Sequence, residues 1–342
     1  MRWLACELHT HTLHSDGKQT LRELADGAAK LGFECIALTD HNTMSGLADK
    51  EAVERETGLV ILPGMEWTTF HGHMVTIGAS EFADWRLAEP GNLREGTNAV
   101  RRRGGLAGLA HPFRIGSPAC TGCFWEFEIR DWSDVDYIEV WSTTFATIKE
   151  DNRRAFELWT NRLNAGDRIA ATSGRDWHEQ KATDDPLSVT YLGLADESAP
   201  VQEEALRALR EGRVAVTIGP LLTLTVAEEG GNGAVYALGA EVPLASGAGE
   251  RQLLTACADL RASVREGLWE LPPQSGRLVL TSNKGDLMEL SVHLAEGDSR
   301  HSLPFDREGL LWIRAELWGV VRGVHARIAF TNAIYFERGE GR

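Results

Sequence analysis

The chain has 342 residues, 43% of them apolar and 25% charged, with a formal net charge of -15. This is the composition of an ordinary globular protein that buries a full core and needs no disulfides to fold. The acidic balance argues against an extended nucleic-acid surface, which would need clustered Lys and Arg, and no apolar run approaches the roughly 20 residues of a membrane span.

In chain order, Met1-Arg2-Trp3-Leu4-Ala5-Cys6 lacks an apolar core of signal-peptide length, so a cytoplasmic location is the expectation. His9-Thr10-His11 reads as an H-x-H on a strand, where alternate residues share a face and both imidazoles point one way. Ser15-Asp16-Gly17 follows in a tight loop. Leu21, Leu24, Ala28 and Leu31 mark one helical face, with Gly32 placed to cap it. A strand over 35–38 ends at Thr39-Asp40-His41, and one over 59–62 leads to Gly64-Met65-Glu66. A strand over 106–110 leads to His111-Pro112, another covers 137–140, and one over 169–171 leads to Arg175-Asp176-Trp177-His178. The longest helix is expected over 146–164. The five cysteines are scattered, as in a reducing compartment. Cys120 and Cys123 form a lone CxxC with no second pair to complete a zinc site.

From about Pro220 the helical patterns stop. Strands are expected over 222–226, 277–280, 290–293 and 327–330, separated by turns such as Gly230-Gly231-Asn232-Gly233. The stretch 240–275 fits a long connection. The fold class is therefore α/β, a parallel sheet with outer helices, followed by a small antiparallel domain of sandwich type. Each N-terminal strand carries a His, Asp or Glu at its C-terminal end. In a closed parallel barrel those ends share one face, so residues distant in sequence would meet there.

Taken together, His9-Thr10-His11, Ser15-Asp16-Gly17, Thr39-Asp40-His41, Gly64-Met65-Glu66, Ala110-His111-Pro112 and Asp176-x-His178 resemble the PHP (polymerase and histidinol phosphatase) superfamily. Thr217-Ile218-Gly219-Pro220, Arg314-Ala315-Glu316 and Thr331-Asn332-Ala333-Ile334-Tyr335 resemble the branch that includes carbaryl hydrolase. The resemblance implies a distorted (β/α)7 PHP barrel over residues 1–219 and a β-rich, sandwich-like domain over 220–342. It also implies two to three divalent metal ions: Zn, Mn or Fe. By motif position, His9, His11, Glu66 and Asp176 hold the first, Glu66 bridges to a second shared with His111, and Asp16, His41 and His178 hold the third. Some relatives add a His or Cys after the strand at 137–140; this chain offers only Glu139 there, a poor substitute, which leaves the second site short of a ligand.

The resemblance further implies hydrolysis by metal-activated hydroxide. Arg175 is either a clamp on an anionic substrate or a partner in a structural salt bridge, and Arg114 reads the same way. His73 resembles a feature of the branch that faces substrate or supports a ligand. Trp177 is a candidate pocket wall. His14 and His71 lie near the motifs without a role, and His293, His301 and His325 read as surface or core residues. The leading expectation is hydrolysis of a small-molecule phosphodiester or phosphomonoester. A carbamate or carboxylic ester would use the same chemistry. A metal-binding module without catalysis is the third possibility. The amidohydrolase superfamily, with its carboxylated Lys, is disfavoured by Glu66 and by Asp16 so soon after the H-x-H.

Overall fold

The computed structural model describes residues 1–116, 122–228, 234–244, 253–265, 267–269, 271–294 and 297–338. Two compact units divide the chain: residues 1–159 with 169–210, and residues 160–168 with 211–342.

The first unit contains β1 (Arg2–Thr10), α1 (Leu21–Lys30), β2 (Cys35–Leu38), α2 (Lys50–Thr57), β3 (Val60–Thr69), β4 (Gly72–Ile77), α3 (Arg94–Arg101) and β5 (Leu106–Leu109). It continues with β6 (Tyr137–Ser142), α4 (Glu150–Ala165, whose last residues count with the second unit), β7 (Ala170–Gly174), β8 (Val189–Leu194) and α5 (Val201–Glu211). The strands lie in the order β8-β1-β2-β3-β4-β5-β6-β7. The sheet curls until its far edge returns to β1. The amide of His11 donates to the carbonyl of Trp177 (2.9 Å), and the amide of Trp177 donates to that of His9 (3.0 Å). Ser173 on β7 likewise donates its amide to Thr190 Oγ1 on β8 at 2.8 Å.

Local chemistry explains the elements that frame this sheet. Thr20 and Glu23 form a reciprocal capping box at the start of α1, and Leu21, Leu24 and Ala28 are buried on its inner face. Gly32 follows with φ 72°, the left-handed conformation that stops a helix cheaply only at glycine. β2 and β6 are buried along their whole length; β2 reads as a continuous apolar run rather than an alternating one, whereas β6 also buries Glu139 and Ser142.

The strict β-α alternation expected from the sequence is not followed. β3 runs past the end of β2 and turns back directly into β4, antiparallel, and β4 pairs antiparallel with β5. Between β5 and β6 the described residues carry only the short turn Trp132–Asp134. β8 pairs antiparallel with β1.

The second unit is β-rich. β9 (Val214–Thr217), β10 (Leu221–Glu228), β11 (Val235–Ala237), β12 (Glu241–Val242), β13 (Leu253–Arg261) and β14 (Ser275–Ser282) are followed by β15 (Gly285–His293), β16 (Ser299–Asp306), β17 (Trp312–Val321), β18 (Val324–Thr331) and β19 (Ile334–Phe336). One antiparallel sheet runs β11-β10-β13-β16. In the other, β17 pairs with β14, β18 and β19, β14 with β15, and β18 with β9. β10 lies against β17 and β18. The expected connection over 240–275 instead contains β13, whose residues alternate between buried and partly exposed. The Gly230–Gly233 turn and Cys120 of the CxxC lie outside the described residues. No helix among the described residues is long and apolar enough to cross a membrane.

Buried charge holds the second unit at β17. Glu316 accepts from Arg314 Nε (2.8 Å) through one oxygen and from Arg327 Nε (2.8 Å) and Trp318 Nε1 (3.1 Å) through the other. Burial opposes ionisation of this carboxyl, but Arg327 and Arg314 outweigh it and hold the group at about 2.

Candidate metal centre

Eight residues that the sequence marks as ligands converge in the first unit. β1 delivers His9 and, one residue past its end, His11; the loop after it delivers Asp16. His41 follows β2, Glu66 lies within β3, His111 follows β5, and Asp176 and His178 follow β7. Glu66 and His9 are thus strand residues rather than residues beyond strand ends. An isolated parallel bridge between His41 and Glu66 continues the β2–β3 pairing and brings them level.

Their donor atoms, with those of His73, fall into three overlapping groups, each within 4.8 Å: His9, His11, Glu66 and Asp176; Glu66, His73 and His111; and His11, Asp16, His41 and His178. Glu66 is the hinge. Its Oε2 lies 3.2 Å from His9 Nε2, 3.4 Å from His11 Nε2 and 3.0 Å from His41 Nδ1, and its Oε1 lies 2.9 Å from His73 Nδ1 and 3.2 Å from His111 Nε2. Asp176 Oδ1 is 3.0 Å from His11 Nε2, and Asp16 Oδ1 is 3.3 Å from His41 Nε2 and 3.1 Å from His178 Nε2.

This donor set fits a divalent cation. His9 Nε2 and Glu66 Oε2 are buried, face each other, and have no hydrogen-bond partner. Buried polar atoms normally find one, and a shared cation would supply it. The electrostatics agree. Burial alone would lower the His9 imidazole, but Glu139, Glu66 and Asp176 hold it well above its usual value. Burial is likewise outweighed at His41, where Asp16 and Glu66 push the imidazole up to about 10. Burial would raise the Glu66 and Asp16 carboxyls, but His9, His111 and His41 hold that of Glu66 well below the ordinary range, and His178 and His41 hold that of Asp16 low. The carboxylates thus demand positive charge at this spot, which protons meet only when cations do not.

A scaffold of side chains sets these positions. Asp40 accepts from the amide (2.7 Å) and hydroxyl (2.7 Å) of Thr12 and from the Ser15 hydroxyl (2.7 Å), and so folds the loop that carries Asp16. Gly17 closes this loop; a Cβ there would fall 2.6 Å from the carbonyl of His11. Asn42 and Thr68 exchange two hydrogen bonds of 2.9 Å between the β2 and β3 ends, and the Thr68 hydroxyl meets His41 Nδ1. His111 and Asp176 both have positive φ, 32° and 54°, a conformation that non-glycine residues keep only where the surroundings enforce it.

Some expected roles move. Glu139 is not in any ligand group: its Oε2 lies 2.7 Å from His9 Nδ1, behind the ring, where it orients the imidazole. Gly174 makes room for it, since a Cβ there would meet His9 Cβ at 2.5 Å and Glu139 Oε2 at 2.8 Å. His73, expected to support or face substrate, joins Glu66 and His111 as a third donor. Arg175 does not line the cavity. Its guanidinium lies over the Trp177 ring at 4.4 Å, and its amide donates to Glu7 Oε1 at 2.8 Å. Trp177 is buried, with its Nε1 on the Glu179 carbonyl, and is no pocket wall. Arg114 does line the cavity, paired with Asp176 Oδ2 and donating to the Ser142 hydroxyl. Glu7 escaped sequence reasoning, although the period-two pattern of His9 and His11 already included it. It accepts from the amides of His9 (3.0 Å) and Arg175 (2.8 Å), and burial raises its carboxyl to about 7.

The donor groups open into a cavity of about 550 Å³ lined by Ser15, Asp16, His41, Glu66, Thr68, His73, His111, Arg114, Cys123, Asp176 and His178. That volume is in the range of small-molecule sites.

Residues 7–101 match the PHP domain. Among curated proteins, a 3',5'-nucleoside bisphosphate phosphatase of Chromobacterium violaceum is 30% identical over 122 residues, 34% of this chain and 40% of that protein. A phosphoribosyl 1,2-cyclic phosphate 1,2-diphosphodiesterase of Eggerthella lenta is 28% identical over 99 residues, 27% of this chain and 38% of that protein. The similarity thus spans about two fifths of these relatives. Among solved structures, a two-domain protein of Bacteroides vulgatus containing a predicted PHP-like metal-dependent phosphoesterase shares the fold. It matches with a TM-score of 0.53 and 14% identity over 97% of this chain and 95% of that one.

Proposed function

We propose that this PHP-domain chain is a metal-dependent phosphoesterase acting on a small phosphodiester or phosphomonoester. The observation that carries the reading is Glu66, fully buried, with one oxygen turned to His9, His11 and His41 and the other to His73 and His111. A carboxylate so placed suits a bridge between cations. His9, His11, Glu66 and Asp176 would hold one ion, and Glu66, His73 and His111 a second. Asp16, His41 and His178 would hold a third, with His11 alongside. His73 would supply a ligand to the second ion in place of the one the chain lacks after β6. The mixed His and carboxylate set suits Zn, Mn or Fe. Such ions, when bound, act as Lewis acids and activate water for attack.

The chain's own residues supply the rest. Glu139 orients His9 through Nδ1 and keeps Nε2 directed at the centre. Arg114 stands at the cavity wall, where its guanidinium matches two oxygens of a phosphoryl group. In that role it would exchange its partner Asp176 for substrate once a cation satisfies that carboxylate. The relatives named as a phosphatase and a phosphodiesterase support phosphoester chemistry.

A second reading, hydrolysis of a carbamate or carboxylic ester at the same centre, is favoured by Arg175 lying outside the cavity, which leaves Arg114 as its one described arginine. The test is turnover by protein reconstituted with Zn, Mn or Fe of p-nitrophenyl phosphate and bis-p-nitrophenyl phosphate, against p-nitrophenyl acetate and an aryl carbamate. Phosphoester turnover that vanishes in His11→Ala is the expected result. Ester turnover without phosphoester turnover replaces the first reading with the second.

A further inference from the structure

The loops that carry the cavity residues also carry the most exposed large apolar side chains described in the first unit. Ile115 is 84% exposed, Phe70 77% and Leu13 60%; Phe124, at 37%, is less exposed than Met1, Ile148 and Phe82 elsewhere in the unit. Each lies within two residues of one that lines the cavity: Leu13 beside Ser15, Phe70 beside Thr68, Ile115 beside Arg114, Phe124 beside Cys123. Two of these loops touch. A Cβ on Gly122 would fall 2.9 Å from Phe70 Cα, and the amide of Glu126 donates to the carbonyl of His71 at 2.6 Å. Scattered surface apolar residues need no explanation, but that the three most exposed of the unit all flank residues lining one cavity does.

Charge narrows what this mouth would take. Among the described residues lining the cavity, Arg114 is the one permanently cationic side chain, and Asp16 at its edge is 61% exposed. One arginine with bound cations suits a single phosphoryl group. Nothing described along the cavity wall would neutralise a second phosphate on the leaving group. Arg154, beside the rim, is stacked on the Phe113 and Phe124 rings, and the chain as a whole carries -15.

We infer that Leu13, Phe70 and Ile115, with Phe124, form an apolar rim that seats an uncharged aromatic or alkyl leaving group of the phosphoester. This rests on the reading of the centre as a phosphoesterase site and names its substrate class. The phosphoryl group sits on the donor groups and Arg114, and the apolar moiety covers the rim and removes it from water.

The test measures binding as well as turnover, so that the two readings fail separately. Benzylphosphonate and methylphosphonate, which are not hydrolysed, are titrated calorimetrically into the metal-loaded full chain. Benzyl and methyl phosphate are compared as substrates because their leaving alcohols have similar acidity. Benzylphosphonate is expected to bind about tenfold tighter, the scale of a modest apolar contact. In Phe70→Ser and in Ile115→Ser, both on exposed loops, that ratio is expected to fall toward one. Equal affinity of the two phosphonates overturns the inference. So does a ratio unchanged in both variants, including the case in which they abolish self-association seen by gel filtration, which would make the rim an interface between copies. Tighter benzylphosphonate binding with no phosphoester turnover upholds the rim and overturns the phosphoesterase reading.

Discussion

Glu139 shows how residue type and residue role come apart. Its place on β6, near where some relatives carry a further ligand, makes it look like a substitute, but its carboxylate lies behind His9 rather than in a donor group. Supporting carboxylates of this kind usually matter about 10–100-fold in metal affinity. Glu139→Gln is therefore expected to weaken metal binding about tenfold or more while the fold persists, as read by competition with a chelating dye and by circular dichroism. Unchanged affinity would remove Glu139 from the centre. Glu66→Gln should do more, since both carboxylate oxygens face imidazoles. Loss of at least one equivalent of metal is expected by elemental analysis. The His, Asp and Glu positions were legible in the sequence because each sits in a short motif near a strand end. The direction of each side chain was not. Arg175 stands beside Asp176 in sequence but turns to Trp177, whereas Arg114 turns into the cavity. His73 reads as a residue that faces substrate or supports a ligand; β4, folding back against β3, sets it opposite Thr68 on the strand that carries Glu66, among the donor groups.

At the scale of elements, close approach of backbones decides what the centre tolerates. β7 passes β1 so closely that Gly174 has no room for a side chain. Gly174→Ala is expected to cost about 1–3 kcal/mol, as overpacking does, and to displace Glu139 from His9. Thermal unfolding and metal content would both report it; a variant unchanged in both would show that this approach is looser than described. In the second unit, β17 carries the buried Glu316 between Arg314 and Arg327. The folded carboxyl is held at about 2 against an ordinary 4.5. Its stabilising contribution is therefore complete above about pH 4.5 and lost as pH falls toward 2. Glu316→Gln, which leaves buried Arg314 uncompensated, is expected to cost about 3 kcal/mol at pH 7 and to flatten acid unfolding over that window. An acid profile identical to the parent's would contradict the assignment. β2 was readable from an apolar run and β10 from the alternation of Leu222-Thr223-Leu224-Thr225-Val226. β13 was missed because it follows an Ala- and Gly-rich stretch, and the β3–β4 return because Phe70 and His71 are not typical turn residues.

For the whole molecule, the α/β character and the β-rich second part were legible from the change in periodicity near Pro220, whereas the antiparallel joins in the first unit were not. Periodicity marks strands but carries no information on which neighbour a strand pairs with or in which direction. A centre that demands positive charge also links metal to stability. Cations that bind the folded chain at a hundred times their Kd would add about 2.7 kcal/mol. Chelation is therefore expected to lower the unfolding temperature by several degrees, and readdition of Zn or Mn to restore it. Insensitivity to chelator in protein proved to contain metal would place the ion elsewhere. The most direct measurement is anomalous diffraction from crystals grown with Mn or Zn. Density is expected between His9, His11, Glu66 and Asp176, with further peaks beside His111 and beside His178. A map with no peak among those side chains, in protein that carries metal by elemental analysis, would contradict the account.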